Sequence, residues 1–295
     1  MRSILVLVVG LLTAAGLVGC GQEKQLPDAV AVSPAETPDT GPAVPAASEE
    51  KAKEWVDRYL KAATGGDPTR LAKARVTKMT LSGMMQLPAG EDQTTPGGLV
   101  RVENSRVIEA AWPDRIRSED VFQSRSLRPM TTGIRRPAVW SYQKQPTGDW
   151  QALPLSQELE QVTIIEFIGN YWMPLLVPLT EPGTIVFDAR TTSIGQQPAE
   201  TVKVSVKDCP VFTLWFDPKT DYLMRIDYVY EQSRRSVPNV VMLSGHRSFD
   251  GLTLPGMIGY TRNGIGVAEW KVESLEFPPQ IDSTRFDPPK AEEKK

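Results

Sequence analysis

The sequence predicts a mostly β chain with a few helices, an α+β fold built on one large antiparallel sheet or barrel. Three observations carry this. From Met79 onward, apolar residues recur at every second position through one segment after another. The pairs Asp250-Gly251 and Asn263-Gly264, which suit tight hairpins, separate such segments late in the chain. About ten strands follow one another with little helical pattern between them, which favours a curved meander over alternating strands and helices. A chain of 295 residues, 40% of them hydrophobic, can supply the core such a sheet needs.

The N-terminus reads as a leader and tether. Met1-Arg2-Ser3 precedes an apolar run from Ile4 to Gly19, which predicts a secretory signal peptide over residues 1–19. The run is shorter than the ~20 residues that span a bilayer comfortably. Leu17-Val18-Gly19-Cys20 resembles the bacterial lipobox, and that resemblance implies cleavage before Cys20 and diacylglycerol on its sulfur. Acyl chains such as palmitate contribute ~0.8 kcal/mol per buried CH₂, so two or three of them hold the chain on a membrane. Residues 20–48 then form a Pro- and Ala-rich tether without aromatic residues, reaching between ~30 Å and ~85 Å. Gly21 follows the cysteine where an Asp would signal inner-membrane retention. The expected location is therefore the outer membrane, facing the periplasm.

The folded part is expected over residues 49–290, with a charged tail at 291–295. Ser48 as N-cap, Glu49 and Glu50 in the first turn, and the stripe Ala52, Trp55, Val56, Tyr59, Leu60 and Ala63 predict a helix stopped by Gly65-Gly66. A short helical turn is expected near Leu71–Val76. Met79, Leu81, Gly83, Met85 and Leu87 then form one face of a strand, and Val100–Ala111 and Ala138–Tyr142 read as further strands. Later, Val202, Val204 and Val206 line one strand and Phe212, Leu214 and Phe216 the next. Met224, Ile226, Tyr228 and Tyr230 line a third, and Asp217-Pro218-Lys219-Thr220 is expected as a type I turn before it. Trp270 and Val272 lie in the last strand, ended by Pro278-Pro279.

One helical pattern interrupts the meander. Leu155, Leu159 and Val162 form a stripe, but Ile164, Ile165, Phe167, Ile168 and Trp172 add apolar residues all round. Such a helix must be covered on every side. Three readings stay open: a core helix, a buried strand favoured by Val162-Thr163-Ile164-Ile165, or a lid over a half-open barrel. Glu160, Glu166, Pro174 and Pro178 argue against a membrane span.

The order of elements resembles the LolA/LolB family and its relatives among lipid-binding lipoproteins. The resemblance rests on Leu214-Trp215-Phe216-Asp217-Pro218-Lys219-Thr220, Arg225-Ile226-Asp227 and Gly251-Leu252-Thr253-Leu254-Pro255. Pro113–Arg117 and Trp140-Ser141-Tyr142 add to it. It implies a half-open antiparallel barrel, covered by helices, that binds acyl chains of a lipid or lipoprotein without being an enzyme. It also implies no cofactor. The cavity and lid residues implied are Leu159, Val162, Ile165, Ile168, Trp172, Met224, Ile226 and Tyr228. An anchored chain departs from the soluble shuttle of that family, which favours a membrane-bound carrier or receptor in lipoprotein sorting. The alternative is an envelope module that senses a protein partner, its interior filled by its own side chains.

Composition narrows the chemistry further. Lys and Arg number 33 against 36 Asp and Glu, so the basic excess of a nucleic-acid binder is missing. One histidine, His246, and two cysteines leave no multi-histidine zinc site. No hydrolase, zincin or P-loop motif occurs. Cys209 reads as a free, buried thiol, and Glu158, Glu160 and Glu166 as solvated helix carboxylates. Arg101, Arg106, Arg115, Arg117, Arg125, Arg128, Arg135 and Arg136 read either as a solvated sheet face or as a contact for anionic head groups.

Overall fold

A computed structural model of the chain describes residues 46–88, 98–124 and 127–289. The leader, Cys20, Arg125 and most of the tether lie outside the described residues.

Helix α1 (Ala46–Thr64) begins two residues before Ser48, which therefore sits in the first turn and is not the cap. It ends where the sequence placed its stop. Gly65 and Gly66 both have positive φ, 62° and 85°, a conformation in which a Cβ is costly. After the short α2 (Thr69–Lys73), six strands form a meander: β1 (Val76–Pro88), β2 (Leu99–Ala111), β3 (Arg115–Phe122), β4 (Met130–Arg135), β5 (Ala138–Lys144) and β6 (Trp150–Ala152). Helix α3 (Gln157–Phe167) follows, continued by a π-helical turn (Ile168–Trp172) and a 3-10 turn (Val177–Thr180). A second meander runs through β7 (Ile185–Ile194), β8 (Gln197–Ser205), β9 (Val211–Phe216), β10 (Leu223–Gln232) and β11 (Arg235–Ser244). Then come the small hairpin β12 (Arg247–Phe249) and β13 (Leu252–Leu254), and finally β14 (Met257–Arg262) and β15 (Ile265–Glu276).

Thirteen strands make one antiparallel sheet, ordered β6-β5-β4-β3-β2-β1-β15-β14-β11-β10-β9-β8-β7, with β6 and β7 at its open edges. The two meanders are joined at the centre, where β1 pairs with the last strand, Gly83 opposite Trp270. The chain between Leu153 and Thr184 leaves one edge of this sheet and re-enters at the other. It must therefore traverse a whole face.

One face of the sheet is buried. Phe212, Leu214 and Phe216 of β9, and Ile226, Tyr228 and Tyr230 of β10, pack there with α1 and the 157–180 segment in one continuous core. Tyr59 of α1 stacks on Phe216 with ring centres 3.4 Å apart. The predicted tight turns are present: Asp250-Gly251 and Asn263-Gly264 each hold two consecutive positive φ values. The link at Asp217 is longer than a four-residue turn. Asp221 donates its N–H to the Asp217 carbonyl at 2.8 Å and itself adopts φ 59°.

The register differs from the expected alternation at one point. A bulge between Leu223 and Arg225 puts Leu223 into the core and leaves Met224 half-exposed against Gln197. On the outer face of the first meander, Phe286 near the C-terminus is fully buried, and its carbonyl accepts from Trp140 Nε1 at 3.2 Å. Among the described residues, no helix is long and apolar enough to cross a membrane.

Candidate functional site

The segment 157–180 forms a belt across the buried face. Ser156 caps α3, accepting from the Leu159 N–H at 3.3 Å. Val162, Ile165, Phe167, Ile168, Tyr171, Trp172, Met173, Leu175, Leu176 and Val177 of the belt are all buried. At ~1.5–3 kcal/mol for each such side chain, the belt hides roughly 15–30 kcal/mol of apolar surface. The switch from α to π geometry at Ile168 and the left-handed Leu176, at φ 60°, break the belt into short limbs.

The first limb is fixed to the sheet by close packing and by polar contacts. A Cβ at Gly169 would lie 2.7 Å from Tyr228 Cε1 and 3.2 Å from Phe212 Cε1, so glycine permits the seat on β9 and β10. Tyr228 donates its hydroxyl proton to Asn170 Oδ1 at 2.9 Å. Glu166, expected on a solvated helix face, is instead turned inward with its side chain 18% exposed. Its Oε1 accepts from Arg262 Nη2 and from the Tyr230 hydroxyl at 2.9 Å. Tyr260 donates to Asn239 Oδ1 at 2.7 Å and accepts from Arg262 Nη2 at 3.0 Å. These partners account for Glu166 leaving solvent: a buried carboxylate needs a cation and donors, and β10 and β14 supply them.

Further along, Tyr171 accepts from Arg106 Nη1 of β2. Arg106 also donates from Nε to Asp120 Oδ1 at 2.7 Å, so its charge is balanced within the sheet. Asp120 accepts in addition from Asn104 Nδ2 at 2.8 Å. The belt thus touches both meanders, β2 on one side and β9, β10 and β14 on the other.

Of the residues expected at the site, Val162, Ile165, Ile168, Trp172, Ile226 and Tyr228 come together in this core, whereas Leu159 is half-exposed and does not belong to it. Met224 does not join them, because the bulge turns it aside. Glu166, Gly169, Asn170 and Arg262 belong to the arrangement and were not singled out as a set from sequence. Their signal is the inward spacing of 166, 169 and 170 on a helix already apolar on its other sides.

Six of the described arginines of 101–136 are held by partners. Arg101 pairs with Glu269, Arg115 with Asp114, Arg117 with Glu109 and Glu119, and Arg135 with Asp287, while Arg128 bonds Gln145. Arg106 alone of these meets the belt. His246 lies in the loop between β11 and β12, stacked on Tyr222 at 4.8 Å, beside a shallow cleft open to solvent. Cys209 is a free thiol as expected but only half-buried; desolvation still pushes it up to about 12, as suits an unreactive cysteine. Among the described residues, no group of three or more His, Cys, Asp or Glu side chains is placed to hold a metal ion.

No family model matches the chain. No curated protein matches it either. Among solved structures it is similar to a LolA superfamily protein from Nitrosomonas europaea, at 12% identity and TM-score 0.47, covering 80% of this chain and 97% of that one. An outer membrane lipoprotein-sorting protein domain from Vibrio parahaemolyticus is similar at 10% identity and TM-score 0.45, over 81% and 97%. A DUF1329 family protein from Desulfovibrio piger is similar at 9% identity and TM-score 0.46, over 80% and 97%.

Proposed function

We propose that the protein is a non-enzymatic envelope lipoprotein, anchored through Cys20 to the outer membrane. In this reading its sheet is a half-open barrel that receives acyl chains of a lipid or lipoprotein beneath a movable first limb of the belt, as a carrier or receptor. The observation that carries this reading is the belt itself, an apolar crossover laid over the buried face and fastened to it by side-chain hydrogen bonds.

Magnitudes decide how much of the belt moves. A chain of about sixteen methylenes contributes up to ~13 kcal/mol when fully buried, less than the whole belt conceals. Val162, Ile165, Phe167 and Ile168 of the first limb conceal only roughly 6–12 kcal/mol. One long acyl chain can replace that limb, so the hinge falls at Gly169–Asn170 and the 171–178 limb stays as a floor. A second reading, an envelope module that senses a protein partner, is favoured by the close packing of the buried face and requires no chain to bind.

Hydrogen exchange on the full chain separates the two readings. With palmitate added, amides of 157–169 should lose protection while those of β9 and β10 keep theirs. Unchanged protection of 157–169 at saturating palmitate would sink the carrier reading.

A further inference from the structure

Resting on the acyl-binding reading, we infer that the cargo is an anionic amphiphile, whose carboxylate or phosphate takes the place of Glu166 on Arg262. Arg262 is a guanidinium with its side chain only 4% exposed, set among the rings of Tyr230 and Tyr260. Its one ion-pair partner among the described residues is Glu166, and Glu166 rides on the limb that moves. Arg106 provides the contrast, since its counterion Asp120 stays in the sheet whatever the belt does.

When the limb swings away, Arg262 keeps the Tyr260 hydroxyl but is left without an anion. An uncompensated buried charge costs several kcal/mol, and an arginine does not escape by losing its proton. The bound state therefore requires a replacement anion at the same place. A second observation points the same way: Arg262 Nη1 is buried and has no hydrogen-bond partner even with Glu166 seated. A carboxylate or phosphate offers two oxygens to a guanidinium fork, so it can take both Nη1 and Nη2 where Glu166 takes one. Glu166 is thus an internal stand-in for the ligand's charged end. Tyr230, which already donates to Glu166, would donate to an incoming oxygen.

The test uses the full chain, solubilised from membranes in a non-ionic detergent, with retained ligand measured after gel filtration. Radiolabelled palmitate is compared with hexadecanol, and dipalmitoyl phosphatidate with dipalmitoylglycerol; acetate and inorganic phosphate probe the charge without a chain. The acids should bind about tenfold or more tightly than their neutral counterparts, the scale of one charge-assisted contact. Palmitate and phosphatidate preferred alike assigns the shared charge, and preference for one assigns its source; both support the inference. Arg262→Gln should erase the preference while chains still bind, and Glu166→Gln, which removes the competing internal anion, should tighten palmitate about tenfold. Equal binding of palmitate and hexadecanol overturns the charge requirement and leaves acyl binding standing. Retention of the preference in Arg262→Gln, or no tightening in Glu166→Gln, also overturns it. If acetate or phosphate binds as tightly as the acids, the site is for a small anion and the amphiphile inference fails. If no chain of either kind is retained, the acyl-binding reading falls and takes this inference with it.

Discussion

Gly169 of the belt faces the ring of Tyr228 so closely that a Cβ would come within 2.7 Å of its Cε1 atom. Tyr228 is itself buried and tied through its hydroxyl to Asn170, so the ring cannot turn aside cheaply. Belt and sheet are fitted at this point with no slack.

Gly169→Ala should therefore destabilise the closed form by about 1–3 kcal/mol, the usual cost of overpacking a filled core. The gain in helix propensity, about 1 kcal/mol, offsets only part of this. A urea melt gives the loss, and hydrogen exchange shows where it falls. The account expects raised exchange confined to 157–169; a uniform rise across the sheet would mean the helix is ordinary core.

Gly83→Ala strikes the seam that joins the two meanders. Its Cβ would overlap the Glu269 carbonyl oxygen of β15, which is backbone and cannot rotate away. A loss of about 3 kcal/mol or more is expected, well above that at Gly169. Circular dichroism melts of both variants rank them, and the opposite order would contradict the central pairing of β1 with β15.

The tether has no residues able to build a core, so residues 47–295 should fold alone. A single cooperative melt, monitored by far- and near-ultraviolet circular dichroism together, is expected. Separate transitions, or a broad non-cooperative one, would show that the body depends on what precedes it.

His246 gives the acid dependence a sign. Burial lowers its pKa below the usual 6.5, so the unfolded chain takes this proton more readily than the folded one. The stability it contributes is complete above that value and is lost as pH falls through it toward the folded pKa. His246→Gln should lose less stability than the parent chain between about pH 7.5 and about pH 5.5 in urea melts. Equal losses would place the acid sensitivity elsewhere.

Much of this was legible in sequence for local reasons. Asp250-Gly251 and Asn263-Gly264 announce their turns because few other pairs accept two positive φ values in a row. The inner rows Phe212, Leu214, Phe216 and Ile226, Tyr228, Tyr230 follow from a period of two. Met224 breaks that period because a bulge inserts one residue, and nothing in Leu223-Met224-Arg225 marks it. The sequence pattern also does not mark β4, β6, β7 or β11: β6 is three residues long, and β7 is an edge strand with no fully buried residue. Glu166 was hidden for a different reason. Its partner Arg262 lies 96 residues away, and only the crossover from one sheet edge to the other brings the two together. The pairing of β1 with β15 is non-local in the same sense.

Calorimetric titration of residues 47–295 with saturated fatty acids of increasing length tests the central claim most directly. The account predicts that affinity climbs with each added methylene, by at most ~0.8 kcal/mol and less where the limb's own surface must be exposed, then levels off when the groove is full. Ile165→Asp and Ile168→Asp, which put charges under the limb, should weaken every member of the series. If no length binds, and those substitutions only lower the melting temperature, the belt is permanent core and the protein is not an acyl carrier.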